Sequence, residues 1–300
     1  MPKLFAITAT RCYSYQQERP VPIYFEQTAI NMKRKPLGHT PKLRIIEGGR
    51  KNNPPVSPEA WKYYRAALEK FEERSYEDAF SLFDQAILLC PEMACAWRDR
   101  GEAKRRVELN EEALADLDHA IHLDPKDPEA YHNRARTKRQ TERQEEAITD
   151  IGIAIQLDPK TAYYYHLRGE IKNEAGIPED AVDDYSEAIR IDPRRLETYY
   201  ERAWCYEQLQ RYEDALRDYD TIIRIDPELP RIYFERADLK SRLGRLEDAL
   251  EDYERSIELR PDYQDVFEGL LSTRKKLGLA EEDEFLDTST LYSEGDPFVK

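Results

Sequence analysis

From residue 60 onward, small, large and polar positions recur with a period of thirty-four residues. Units counted from Ala60, Ala94, Pro128, Ala162, Leu196 and Pro230 align without insertion. Their eighth places read Ala67, Gly101, Ala135, Gly169, Ala203 and Ala237, and their twentieth places are alanine throughout, from Ala79 to Ala249. Small residues at both places let two antiparallel helices approach closely where they cross. The twenty-fourth place is large (Phe83, Leu117, Ile151, Tyr185, Tyr219, Tyr253), and the fourth is aromatic in all six units, from Tyr63 and Trp97 to Tyr233. The pattern predicts two helices per unit.

The polar punctuation agrees. Segments such as Glu174-Ala175-Gly176-Ile177-Pro178 separate the two helices, with Pro178 suited to a first helical turn, where its missing N–H costs nothing. After the second helix comes a proline in every unit: Pro91, Pro125, Pro159, Pro193, Pro227 and Pro261. The residue before a proline is pushed out of the α region, so the helix must stop there. A constant period of this length marks stacked helical hairpins, each too small to bury its own apolar face. Such a stack offers a binding surface and argues against a catalytic pocket.

These residues resemble the tetratricopeptide repeat family, over about residues 60–263 in six consecutive copies. The resemblance implies an all-α, right-handed superhelical solenoid with repeats at 60–93, 94–127, 128–161, 162–195, 196–229 and 230–263. Residues 264–278 are expected to form a capping helix, with Leu270 and Leu271 facing inward and Arg274, Lys275 and Lys276 facing out. The repeat body then spans 59–278, between a basic, mostly disordered arm over 1–58 and an acidic, unstructured tail over 279–300.

One departure from the family pattern is legible within the chain. The seventh place, commonly aliphatic in the family, is Arg100, Arg134, Arg168, Arg202 and Arg236 in repeats two to six. The twenty-third is Asp116, Asp150, Asp184, Asp218 and Asp252 in the same repeats, and repeat one has neither, carrying Ala66 and Leu82. Two places that change together within a repeat predict five bridges between the two helices of a hairpin. Arginine suits such a pair because its planar fork holds a carboxylate through two hydrogen bonds.

The resemblance further implies that first helices line a concave groove through their second, fifth, ninth and twelfth places. That selects Arg98, Arg105, His132, Arg136 and Arg139 as a mainly basic stretch, with Tyr163 and His166 beside it. Glu170, Tyr200, Trp204, Glu207, Phe234 and Asp238 form an acidic stretch with interleaved aromatics. Aromatic anchors amid polar groups suit recognition of a peptide or helix. One branch of the family grips acidic chaperone tails with lysines and asparagines at set places. The best window here matches only at Asn133, and Glu102 would repel a carboxylate.

Composition narrows the partners. Apolar residues make up 40% of the chain and charged residues 36%, as suits an elongated body with thin buried seams. A formal charge of −15 disfavours nucleic acid and anionic membranes as partners. Residues 1–58 nevertheless hold ten Lys/Arg against three Asp/Glu, leaving the rest at about −22. That asymmetry predicts a contact between the arm and the acidic half of the groove. No apolar run approaches a membrane span or a secretory signal. Cys12, Cys90, Cys95 and Cys205 lack zinc or disulfide spacing. His119 and His122, three apart, lack an evident third metal ligand. No phosphate-cradling glycine loop or nucleophile elbow appears. The expectation is a cytoplasmic, non-enzymatic scaffold that needs no metal or cofactor and binds a protein or peptide.

Overall fold

The computed structural model describes residues 57–279, so the arm expected over 1–58 and the acidic tail lie, but for their innermost residues, outside the described residues. The described residues form thirteen α-helices and no strand. In chain order these are α1 (Pro58–Glu72), α2 (Tyr76–Leu89), α3 (Ala94–Arg106), α4 (Asn110–Leu123), α5 (Pro128–Gln140), α6 (Gln144–Leu157) and α7 (Ala162–Glu174). They continue with α8 (Pro178–Ile191), α9 (Leu196–Gln208), α10 (Tyr212–Ile225), α11 (Pro230–Arg242), α12 (Leu246–Leu259) and α13 (Gln264–Lys276). Each helix packs against the next, so six hairpins and a single final helix stack into an α-solenoid.

Local chemistry sets the ends of these helices. Ser57 Oγ accepts from the Ala60 N–H at 3.1 Å ahead of Pro58, and Asp127 Oδ1 accepts from the Glu129 N–H at 3.0 Å ahead of Pro128. The aspartate that precedes the repeated proline leaves the helical region, as at Asp124 (φ −135°, ψ 89°) and Asp192 (φ −129°, ψ 88°). Its carboxylate accepts from the backbone N–H two residues on, at Lys126, Lys160, Arg194 and Glu228. Between the helices of a hairpin, the fifteenth place is left-handed: Arg74, Glu108, Glu142, Gly176, Gln210 and Gly244 all have φ between 57° and 78°. The flanking N–H groups close a doubly bonded C-terminal turn, for instance Ile177 N–H to Lys172 O and Gly176 N–H to Asn173 O.

The core runs as a thin seam along the stack. All six twentieth-place alanines, Ala79 to Ala249, have no exposed surface, and the large twenty-fourth residues Phe83, Leu117, Ile151, Tyr185, Tyr219 and Tyr253 lie beside them. Packing at the crossing is tight. A Cβ added at Gly169 would stand 2.7 Å from the Tyr185 ring, and one at Gly101 would stand 2.9 Å from Leu117.

The third and tenth places face the preceding repeat and are buried from Ala96 and Ala103 through to Val266 and Thr273. In α1, the first helix among the described residues, the same places carry exposed Lys62 and Glu69. The first helix is thus polar where the others are apolar, which closes that end of the stack. At the other end the expectation for α13 needs correction. Leu270 is buried, but Leu271 is 37% exposed. Leu271 occupies the eighth place, which in every other repeat packs on its own second helix, and no such helix follows among the described residues.

Candidate functional site

At about 100° per residue, places 2, 5, 9 and 12 share one arc of each first helix. This face is zipped across repeats by a ladder thirty-five residues in span. Place 12 of one repeat bonds place 13 of the next: Arg105 to Gln140 at 3.1 Å, Arg139 to Glu174 at 2.6 and 2.8 Å, and Gln208 to Asn173 at 3.0 Å. Arg242 then donates to Glu207, and Lys276 Nζ to Ser241 Oγ at 3.4 Å. A second set of bonds fastens the same face through tyrosines: Tyr64 to Asp99 at 2.6 Å, Tyr164 to Glu129 at 2.5 Å and Tyr200 to Glu235 at 3.2 Å.

These fasteners revise the display expected of the face. Arg105, His132, His166 and Tyr200 are buried, because places 5 and 12 lie where the next repeat's first helix leans in. His166 Nδ1 meets Thr198 Oγ1 at 3.1 Å, and His132 Nδ1 meets Glu129 Oε2 at 3.3 Å. Nor do the arginines form an unopposed basic stretch. Arg98 bonds Asp99 and Asp127, and Arg139 bonds Glu170 as well as Glu174. Glu102, 8% exposed, accepts from Arg105, Arg106 and Arg136 at once. The acidic stretch is paired too: Glu235 with Arg231, and both Glu207 and Asp238 with Arg242. Tyr163, Trp204, Phe234, Arg98, Arg136, Arg139, Glu170, Glu207 and Asp238 stay partly exposed. Neighbours pin two of the aromatics: the Arg195 guanidinium lies 4.9 Å over Tyr163, and Phe234 packs 5.4 Å from Tyr263.

The electrostatics differ along the face. Burial pushes Glu102 up, but Arg105, Arg136 and Arg106 outweigh it and hold the carboxyl at about 2. Glu129 and Glu170 sit at about 2 for a similar reason, with His132 and Tyr164 acting on the first and His166 and Arg139 on the second. In the last repeats the balance reverses. Burial, with Glu207 nearby, raises Glu235 despite Arg231.

The opposite side of each first helix, about 150° round from this arc, carries the fourth, seventh and eleventh places. There the arginine fork meets its own hairpin's aspartate through two bonds of 2.5 to 2.9 Å, in Arg100–Asp116, Arg134–Asp150, Arg168–Asp184, Arg202–Asp218 and Arg236–Asp252. Each guanidinium also lies 4.6 to 5.8 Å over the fourth-place ring: Trp97, Tyr131, Tyr165, Tyr199 and Tyr233. Two partners are not evident from the sequence pattern. The third nitrogen reaches back sixteen residues to the preceding hairpin, at Asp84, Asp118 and Asp220, or at Ser186. Lys104, Lys138, Lys172 and Lys240 add an ammonium to the aspartate. A fixed step of sixteen residues in both directions was the available signal.

Other candidate chemistry is dispersed. His119 packs tilted against Trp97 at 4.2 Å, with His122 6.4 Å away, and among the described residues no three His, Cys, Asp or Glu converge to hold a metal ion. Cys90 and Cys95 carry free thiols, and burial, with Asp99 nearby, pushes the Cys95 thiol up to about 12. Among the described residues no helix is long and apolar enough to cross a membrane.

Two family models described as tetratricopeptide repeat match residues 117–149 and 202–267. No curated protein matches the chain in sequence. Among solved structures, the chain is similar to YrrB, a tetratricopeptide protein with an unusual peptide-binding site (20% identity, 62% of this chain and 96% of that one, TM-score 0.54). It is likewise similar to PilW, a type IV pilus biogenesis factor (16%, 72% and 99%, TM-score 0.61), and to PilF of Pseudomonas aeruginosa (17%, 70% and 95%, TM-score 0.59). At these identities the likeness is one of fold. The stacked hairpins and the two family matches support a tetratricopeptide repeat protein, with the matched models lying over residues 117–149 and 202–267.

Proposed function

We propose that the chain is a non-enzymatic, cytoplasmic protein-interaction scaffold that binds a peptide or helix of a partner along the first-helix face. The observation that carries this reading is a row of partly exposed aromatics, Tyr163, Trp204 and Phe234, on a face already fastened from repeat to repeat. A pre-ordered surface loses little conformational freedom on binding, and aromatic anchors contribute most per residue. The peptide-binding description of YrrB supports the same reading. Because the charged groups here are mutually paired, specificity falls to the rings and to the unused donors of Arg136, with the ion pairs holding register. Residues 1–58 are a proposed competitor for this face, so deleting 1–55 should raise affinity for an outside peptide at low salt.

The test is a pull-down with the intact chain beside a Tyr163→Ala/Trp204→Ala variant whose helicity is checked by circular dichroism. Partners identified by mass spectrometry should be lost from the variant. Retention of the same partners would overturn the groove reading. It would favour an assembly or regulatory subunit acting through another face; PilW is described as a type IV pilus biogenesis factor.

A further inference from the structure

The side of the solenoid opposite the groove departs furthest from its pattern at one hairpin; repeat four loses only the preceding-hairpin partner, with Gly152 at that place, and keeps its lysine. In repeats two, three, four and six, a lysine at the eleventh place sets its ammonium 2.7 to 2.9 Å from the hairpin's aspartate. In repeat five the eleventh place is Tyr206. The carboxylate that Arg100, Arg134 and Arg236 find on the preceding hairpin is also replaced there: Arg202 Nη1 donates to Ser186 Oγ at 2.9 Å. With both flanking charges gone, the crevice between α9 and α10 opens into a pocket of about 380 Å³.

Its lining is cationic at the rim and aromatic within. Arg217, Thr221 and Arg224 stand one helical turn apart along α10, and the rings of Tyr199 and Tyr206 form a wall. Repeat five alone has arginine at both rim places; the others read Ser81/Leu88, Ala115/His122, Thr149/Gln156, Asp183/Arg190 and Glu251/Glu258. The two lining carboxylates are already engaged, Asp218 by Arg202 and Asp214 by Arg211 and Arg217. Arg224 is different. Among the described residues its guanidinium bonds only a neutral group, the Thr221 hydroxyl, at 3.1 Å. Three arginines against two aspartates leave the lining positive in a chain that is otherwise strongly acidic.

We propose that this pocket is a second binding site, which takes a phosphate carried on a side chain of a partner protein. The Arg217 and Arg224 guanidinia supply the donors for the phosphate oxygens, while Thr221, whose hydroxyl donates to the Arg217 carbonyl at 2.9 Å, holds Arg224 in place and the tyrosine wall receives the side chain that bears the phosphate. A single carboxylate satisfies fewer of these donors. Because the pocket and the Trp204 face lie on opposite sides of α9, both sites can be filled at once.

The experiment follows fluorescence anisotropy of labelled, alanine-flanked peptides bearing phosphoserine or phosphotyrosine, added to the full chain, with unphosphorylated and glutamate peptides as comparators. A phosphorylated probe should bind saturably, weaken as salt rises, and lose at least tenfold in affinity with Arg224→Ala or Arg217→Ala, both exposed and safe for folding. Trp204→Ala should leave this binding unchanged, which separates its fate from that of the groove. Equal binding of the glutamate peptide, undiminished binding by both arginine variants, or competition by inorganic phosphate as effective as by the unlabelled phosphopeptide would each overturn the proposal.

Discussion

Hairpin three (α5–α6) and hairpin five (α9–α10) follow one plan and part company on one side. Both keep the arginine fork on a buried aspartate and the guanidinium over a tyrosine ring. In hairpin three that pair is embedded: Lys138 and Asp118 close a four-membered charge cluster. In hairpin five both outer members are missing, Tyr206 and Ser186 stand in their places, and a pocket opens. A stack holds together through its helix crossings and its central pairs, so the outer members of a cluster are free to vary. Variation there changes the outer surface, here leaving an open crevice, without disturbing the seam of alanines beneath.

Removing the central aspartate gives the largest expected effect and the sharpest test of this difference. Asp150→Ala leaves Arg134 and Lys138, both largely buried, without their shared carboxylate, and should cost about 3 kcal/mol. Asp218→Ala strands one guanidinium, which keeps Ser186 and two tyrosine rings, and should cost about 1–2 kcal/mol. Urea unfolding of the two variants reads the gap directly. Equal midpoints would mean that the outer lysine contributes nothing and that the clusters are not energetically distinct.

What the sequence reveals depends on whether residue identity repeats. The hairpins are legible because alanine at place 20 and proline at place 32 never change. Pairing of places 7 and 23 is legible because one repeat lacks both, Ala66 with Leu82. The place 12 to place 13 ladder hides in plain composition. Its rungs are Arg/Gln, Arg/Glu, Asn/Gln, Glu/Arg and Ser/Lys, so no pairing recurs, and only complementarity at a span of thirty-five links them. For the same reason Arg105, His132, His166 and Tyr200 read as groove contacts, whereas their neighbours across the repeat junction bury them. The pocket at Tyr206 was equally obscure, since it rests on what is missing from a cluster whose outer members were not themselves visible.

Acid should separate the same two regions. Glu102, Glu129 and Glu170 lie at about 2, below their ordinary 4.5, so they contribute stability that is present above pH 4.5 and lost as pH falls toward 2. Asp218 and Glu235 are raised, so they cost stability above their folded values. That cost is relieved as pH falls toward 3.8 and 4.5 respectively. Hydrogen exchange followed peptide by peptide should therefore show repeats two to four loosening first on acidification, with repeats five and six lagging. A stack of this kind permits such local readout because each repeat touches only its neighbours. Uniform loosening along the stack, or earlier loss in repeats five and six, would contradict the assigned shifts.

The smallest effect concerns the turn inside hairpin five. Gln210 holds the left-handed conformation at φ 57°, while the neighbouring hairpins place Gly176 and Gly244 there, at 78° and 77°. A side chain in that region costs roughly 1–2 kcal/mol, and glycine gives back part of the gain through its freer unfolded chain. Gln210→Gly should therefore stabilise by about 0.5–1 kcal/mol, read as a small upward shift in the urea midpoint. The Gln210 side chain is exposed and lies outside the pocket lining, so affinity for a phosphorylated probe should not move. If stability rises while that affinity falls, the turn and the pocket are coupled. Hairpin five would then differ from its neighbours in the set of its two helices as well as in its side chains.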